Sequence, residues 1–287
     1  MSPYTTTRVL AGRVRLNIMD WGSSSSDPPI LFLHAFTANS LASLPLGKML
    51  AGRRRLIAPD LRGRGHSDMP SGEYGIHIHC ADMIALMDKL GIERFVVAGH
   101  SFGATIAVFL AAQVPQRVAG MILYDGGAVP SKQAMTVLDA YYSNLQYRYA
   151  SAEAYISRFR NAPLYQPWTD ELEQLVRSNL HQEPDGTFIR HVPRYVIDAD
   201  RRSEAQNIWQ QLPELYKVIV SPVLILRAGH GVMGREDQVL SDYIIAIMRQ
   251  GMPRARVVTV DPAGHTSLLT IPYAERDEAI LQFLGFV

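Results

Sequence analysis

At 287 residues the chain has room for one large α/β domain or roughly two smaller units, at about 150 residues per domain. Hydrophobic residues make up 47% and charged residues 19%, with 21 glycines and 17 prolines, which excludes disordered, collagen-like and mucin-like chains. A formal net charge of +1 offers no footprint for nucleic acid or an anionic membrane, and the single cysteine, Cys80, excludes a disulfide scaffold.

The amino terminus lacks the apolar stretch of a signal peptide and no run of 18 apolar residues occurs, so a soluble, cytoplasmic protein is expected. Thr6–Leu10 and Arg13–Asp20 read as an antiparallel hairpin turned at Ala11-Gly12, followed by a loop at Ser23–Ser26. Uninterrupted apolar runs at Ile30–His34 and Arg55–Ala58 read as strands buried on both faces. A helix at Asp82–Leu90, a strand at Phe95–Ala98, a helix at Ala104–Gln113 and a strand at Met121–Tyr124 come next. After an interruption, the strands Pro222–Arg227 and Ala255–Val260 alternate with helices Gln238–Arg249 and Ala274–Leu284. This alternation predicts a mostly parallel α/β sheet flanked by helices.

The interruption, Ser131–Pro213, shows no convincing strand pair. Met135–Tyr149, Ser151–Phe159, Thr169–Asn179 and Arg201–Leu212 look helical, separated by Pro163, Pro167, Pro184-Asp185-Gly186 and Pro193. Seven of the chain's 13 tyrosines fall here, which suits a lid better than a charged tail. The expected organisation is therefore a core in two parts, residues 1–130 and 214–287, with a helical cap at 131–213.

Gly99-His100-Ser101-Phe102-Gly103 is a G-x-S-x-G sequence set between a buried strand and an apolar helix, the setting in which the motif lifts a serine clear of the sheet. The amide of Phe102 then points at an oxyanion formed at Ser101. A serine hydroxyl needs a base to take its proton, and His265, in Asp261-Pro262-Ala263-Gly264-His265 after the last strand, is placed to reach back over the sheet edge. His34, His66, His77, His79, His100, His181, His191 and His230 lack that combination and read as structural. No carboxylate follows the strand Pro222–Arg227 before Glu236 and Asp237, whereas Asp125 ends the strand beside the nucleophile strand. Asp125 is therefore preferred to Asp237 as the acid behind His265. The second oxyanion donor is expected from the loop after Ile30–His34, at the Phe36 backbone N–H.

Together these segments resemble the α/β-hydrolase superfamily: LFLHAF at the oxyanion segment, PDLRGRGHSD after the next strand, VAGHSFGA at the turn, PVLILRAG, and AGH before the last helix. Ala35 stands where the family more often has glycine, and the late acid is missing. Haloalkane dehalogenases share the early acid but carry an aspartate nucleophile followed by Trp, where this chain has Ser101 and Phe102. A serine nucleophile with an early acid is similar to the ring-cleavage-product hydrolases that act on acetamidomethylene succinate.

Weaker signals remain. Ile76-His77-Ile78-His79-Cys80 lacks the ligand number and spacing of a metal site. Asp60–His66 lacks the Lys-Ser/Thr ending of a phosphate loop and reads as a tight surface loop near the site. Arg190, Arg194, Arg201 and Arg202 are candidates for a substrate carboxylate, with solvated pairing to Asp198 or Asp200 the plainer reading. The predicted activity is hydrolysis of a small ester, lactone, thioester or amide by Ser101, His265 and Asp125, with no cofactor, no metal and a small-molecule substrate as partner. Oligomeric state stays open, a homodimer included. The alternative is a cofactor-independent oxygenase or a ligand sensor on the same fold.

Overall fold

The computed structural model describes residues 3–22, 25–50, 52–205 and 207–287. Part of the Ser23–Ser26 loop lies outside them. Strands β1 (Thr5–Ala11), β2 (Val14–Trp21), β3 (Ile30–Leu33), β4 (Leu56–Pro59), β5 (Phe95–His100) and β6 (Val118–Tyr124) belong to the main sheet, with β7 (Leu180–Gln182) and β8 (Phe188–Arg190) apart from it. The main sheet is completed by β9 (Val223–Ala228) and β10 (Ala255–Val260), in the order β1-β2-β4-β3-β5-β6-β9-β10. β1 and β2 form the expected hairpin, β2 runs antiparallel to β4, and every other pairing is parallel.

Side chains alternate across a strand, so each buried strand serves two cores. Leu31, Leu33, Val97, Leu123 and Ile225 face one layer. It contains α2 (Ile76–Lys89), α3 (Phe102–Gln113), α8 (Ile208–Val218) and α9 (Asp242–Gly251). Ile30, Phe32, Val96, Ala98, Ile122 and Leu224 face the other, which holds α1 (Leu44–Leu50), α10 (Ser267–Thr270) and α11 (Ala274–Leu284). α3 is covered on all sides, from Phe102 to Ala111, which explains its lack of a polar face.

Between β6 and β9 the chain forms α4 (Lys132–Ser143), α5 (Ala152–Arg160), α6 (Asp170–Ser178), the β7/β8 hairpin, α7 (Arg194–Ala205) and α8. The hairpin overturns the expectation of no strand pair. Its strands have three residues each and are half exposed, too short for a period-two pattern, and Pro184-Asp185-Gly186 is its turn rather than a helix separator. The single helix expected at Arg201–Leu212 is two, parted near Asn207, whose φ of 66° is a left-handed conformation that asparagine tolerates. Among the described residues, no helix is long and apolar enough to cross a membrane.

β4 and β5 lie on opposite sides of β3, so the strand order reverses at β3, and ligands in open α/β sheets bind in the crevice at such a reversal. Loops from the carboxyl ends of β3, β5, β6 and β10 meet there.

Candidate active site

Ser101 sits between β5 and α3 with φ 54° and ψ −113°, a conformation that costs a non-glycine residue on the order of 1–3 kcal/mol. Surrounding contacts enforce it. Its N–H donates to Tyr124 O at 3.0 Å and its carbonyl accepts from Ala104 and Thr105 N–H. A Cβ on Gly99 would lie 2.2 Å from Gly103 O, and one on Gly103 would lie 2.0 Å from Leu33 O. The two glycines thus let strand, turn and helix pack at backbone contact, the requirement read from the pentapeptide.

Asp125 follows β6, fully buried, also with positive φ (42°). Its Oδ1 accepts from Ala228 N–H at 3.2 Å and its Oδ2 lies 2.8 Å from His265 Nδ1. An ionised carboxylate only accepts, so Nδ1 carries the proton and Nε2 is left as an acceptor. The His265 N–H donates to Gly231 O at 2.9 Å. His100, the residue before Ser101, donates from Nε2 to His265 O at 2.9 Å, with the two rings 4.8 Å apart. That contact joins the loop carrying His265 to the turn carrying Ser101. Asp237 is elsewhere employed: its carboxylate accepts from Met233 and Gly234 N–H, closing the loop after β9.

The loop after β3 carries Phe36, whose ring meets Phe102 edge-on at 4.5 Å. Among the described residues neither the Phe36 nor the Phe102 N–H has a hydrogen-bond acceptor. His34 is structural: its Nδ1 lies 2.8 Å from Ala35 O and its Nε2 accepts from Leu61 N–H, while burial pulls it down to about 4. Burial, and secondarily the nearby His265, likewise pull His100 down to about 3.

Ser101, Asp125, Phe36 and Phe102 line one cavity of about 290 Å³, at the small end of ligand pockets, which run from about 300 to 1,000 Å³. Its remaining wall is largely apolar, with Ala128, Met135, Leu138, Tyr142, Trp209 and Val239, and Arg201 paired to Asp139 at its edge. Core and inserted segment therefore both contribute to the wall.

A family model for the alpha/beta hydrolase fold matches residues 28–272. The chain belongs to this family. Among the relatives of this α/β-hydrolase is the 2-(acetamidomethylene)succinate hydrolase of Mesorhizobium japonicum, 29% identical over 266 residues that cover 91% of this chain and 89% of the relative. Another is the 2-hydroxymuconate semialdehyde hydrolase of a Pseudomonas species (strain CF600), 27% identical over 92% of this chain and 88% of the relative. The crystal structure of E-2-(acetamidomethylene)succinate hydrolase superposes with a TM-score of 0.83 at 26% identity, covering 98% of this chain and 99% of that one. Family and relatives together make the chain a hydrolase.

Two features of this hydrolase escaped the sequence. The segment Asp60–His66 adjoins the site but is no surface loop: Leu61, Arg62 and Arg64 are buried, with Arg62 bidentate to Asp82 at 2.6 Å. Each arginine stands next to glycine in an interval between apolar elements, and nothing in the sequence marks either as buried. The four candidate arginines of the insertion also separate. Arg194 pairs with Asp198 and Arg201 with Asp139, Arg202 is exposed, and Arg190 is buried. Asp200 pairs with none of these four but with Arg64. Of the Ile76–Cys80 segment, now the start of α2, His79 faces Asp200, and among the described residues no metal-binding group of His, Cys, Asp or Glu is found.

Proposed function

We propose that this protein is a serine hydrolase that cleaves a small ester, lactone, thioester or amide through an acyl-enzyme on Ser101, with residues 131–213 acting as a cap. The observation that carries the reading is the buried His265–Asp125 pair at 2.8 Å, held by His100 against the strained turn that presents Ser101. Ser101 Oγ attacks the carbonyl carbon as its proton passes to His265 Nε2, and Asp125 stabilises the imidazolium that results. The carbonyl oxygen, now an oxyanion, takes hydrogen bonds from the unpaired N–H groups of Phe36 and Phe102. His265 returns the proton to the leaving group, and water, activated by the same imidazole, releases the acid and regenerates Ser101.

The substrate carries a carboxylate, which Arg190, behind the described cavity wall rather than in it, receives. Arg190 is 4% exposed, and among the described residues it has no carboxylate partner. It is bonded to Tyr141 OH and lies 3.4 Å from Thr37 O, one residue beyond Phe36. Beside it burial pushes Tyr155 and Tyr165 up, the latter to about 12, so neither phenol supplies a counter-charge; Tyr165 is bonded to Thr266, next to His265. A buried, uncompensated guanidinium suits a planar anion, and the succinate and muconate names of the two relatives agree with one. A buried, unpaired Cys80 suits a cytoplasmic location.

The test compares wild type with Ser101→Ala on p-nitrophenyl acetate and longer acyl esters, following p-nitrophenol and dissolved oxygen. A pre-steady-state burst lost in the variant supports the acyl-enzyme. Turnover that survives the substitution, or oxygen uptake with an enolisable heteroaromatic substrate, overturns it in favour of a cofactor-independent oxygenase. Binding without turnover makes the protein a ligand sensor.

A further inference from the structure

Arg64 is fully buried, yet it belongs neither to the proposed triad nor to the cavity wall. Its Nε–H donates to Phe36 O at 3.1 Å, and its guanidinium carbon lies 5.4 Å from the Phe36 ring centre and 5.6 Å from that of Phe102. One side chain therefore touches both residues whose backbone N–H groups the proposed mechanism assigns to the oxyanion. Its Nη1–H donates to Arg62 O at 3.1 Å and meets Asp200 Oδ2 at 2.6 Å. Asp200 lies on α7, in the inserted segment, and is itself fully buried; its Oδ1 accepts from Gly75 N–H and faces His79 Nε2 at 3.1 Å. Burial pushes the Asp200 carboxyl up, but Arg64 and His79 hold it below the ordinary carboxylate range. The His79 ring in turn packs edge-on against Phe102 at 5.4 Å.

We propose that Arg64 is a positioning residue for the oxyanion hole, and that its ion pair with Asp200 makes the placement of the Phe36 and Phe102 amides depend on the inserted segment being seated on the core. This rests on the acyl-enzyme reading above. A charge buried this completely is held by its partners alone, and here they come from both parts of the molecule. The Arg62 carbonyl and the Phe36 carbonyl belong to the core, while Asp200 belongs to the insertion. If α7 lifts, Arg64 loses its counter-ion and follows solvent or α7, and the Phe36 carbonyl loses its donor. The peptide that Arg64 grips is Phe36–Thr37, so a change in its tilt turns the neighbouring N–H of Phe36 away from Ser101. The amides would then be well aimed only over a closed site, from which water is largely displaced.

The test uses Arg64→Met/Asp200→Asn in the full-length chain. This double variant removes both charges together, avoiding a lone buried ion, and the amide oxygen that replaces the Asp200 carboxylate can still accept from Gly75 and His79. Three quantities are compared with wild type: kcat and KM for a p-nitrophenyl ester, the inhibition constant of a boronic acid that mimics the tetrahedral oxyanion, and that of an unreactive substrate analogue. A misaimed hydrogen-bond donor predicts a fall of about 10²-fold in kcat at little-changed KM. Boronate affinity should weaken by a similar factor and analogue affinity by less than threefold. Arg64→Lys, which keeps the charge without the fork, should recover only part of kcat. A folded double variant with kcat within threefold of wild type overturns the proposal and leaves Arg64–Asp200 as a structural ion pair, as does equal weakening of boronate and analogue. Should the double variant not fold, Asp200→Asn alone is read by the same boronate-to-analogue ratio, and an unchanged ratio overturns the proposal. Wild-type labelling of Ser101 by a fluorophosphonate, measured alongside, separates the two readings: if it is absent the acyl-enzyme itself fails, whereas if it is present and equal in the variant only the role of Arg64 fails.

Discussion

Replacing Asp125 by Asn changes one atom and should remove most of the activity. In the native pair Oδ1 accepts from Ala228 N–H and Oδ2 faces His265 Nδ1. An asparagine that keeps its oxygen on Ala228 presents an NH₂ to His265. Nδ1 must then accept, the imidazole proton moves to Nε2, and the base has no lone pair for the Ser101 proton. The flipped amide restores the tautomer but sets its NH₂ against the Ala228 N–H, an orphaned buried donor costing about 1–3 kcal/mol. It also lacks the charge that stabilises imidazolium, worth about 4 kcal/mol at 4 Å with an effective dielectric constant near 20. Either route loses about 5 kcal/mol, which at about 1.36 kcal/mol per decade is a fall of roughly 10⁴ in kcat. The assay is steady-state p-nitrophenyl acetate hydrolysis, with circular dichroism to verify folding and Asp237→Asn as the control. Asp237 caps a loop and touches no part of the pair, so the control should hold kcat within threefold while melting lower. Retention of more than a tenth of kcat in the Asp125 variant, or a 10⁴-fold loss in the Asp237 variant, refutes the assignment.

Arg190→Gln should narrow the preference for p-nitrophenyl hemisuccinate over neutral p-nitrophenyl butyrate by about 10²-fold in kcat/KM, the worth of a charge-assisted bond of about 1.5–3 kcal/mol; an unchanged ratio removes Arg190 from substrate binding. Burial holds His100 at about 3 and His34 at about 4, against an ordinary 6.5, so below pH 6.5 the unfolded chain binds protons that the folded chain does not. Stability is therefore full above that pH and falls as pH drops toward 4, by about 2 kcal/mol per histidine at pH 5. Urea midpoints at pH 7 and 5 measure this, and His100→Gln, which keeps a donor for His265 O, should abolish about half of the difference. Gly103→Ala places a methyl 2.0 Å from Leu33 O, backbone against backbone. It should cost about 3 kcal/mol, roughly 6–10 °C in Tm by calorimetry, and a variant melting within 2 °C of wild type contradicts the packing described for the turn.

The centre of the sheet was legible because β3, β4, β5, β6 and β9 are buried on both faces and read as unbroken apolar runs, each bounded by glycine, proline or charge, whereas the edge strand β10 is half-buried. The turn that carries Ser101 and the loop that carries His265 were legible from the small residues at fixed offsets around them. The structure brings their two loops together through the His100–His265 contact, which no spacing reveals. Less legible was everything decided by contacts between distant segments. Arg64 and Asp200 are 136 positions apart and each looks like an ordinary surface charge until the fold buries both. Arg190 stood beside three other arginines of the insertion with nothing in the sequence to separate them. The separation comes from which carboxylates the helices bring near: Asp198 is one turn from Arg194 on α7, Asp139 comes from α4, and among the described residues none pairs with Arg190 on β8. The β7/β8 hairpin was hidden by its brevity.

The position of the proposed acid also follows from the packing. β6 lies between β5 and β9, so a residue at its carboxyl end can turn toward either neighbour. Asp125 turns toward β9: its N–H donates to Leu226 O at 2.8 Å and its Oδ1 accepts from Ala228 N–H, so its carboxylate lies across the end of β9. The loop after β9, where an acid would more commonly start, is packed at backbone contact instead. A Cβ on Gly231 would lie 1.9 Å from Asp237 O, while the Gly231 carbonyl accepts the His265 N–H. An aspartate there would break the loop that orients the base. Moving the acid to Gly229 and replacing Asp125 with Asn should consequently not restore activity, because a Cβ at Gly229 meets Asp261 O at 2.3 Å. The chain's glycines after β9 and its aspartate after β6 are two parts of one packing solution, which is why the proposed acid stands one strand earlier.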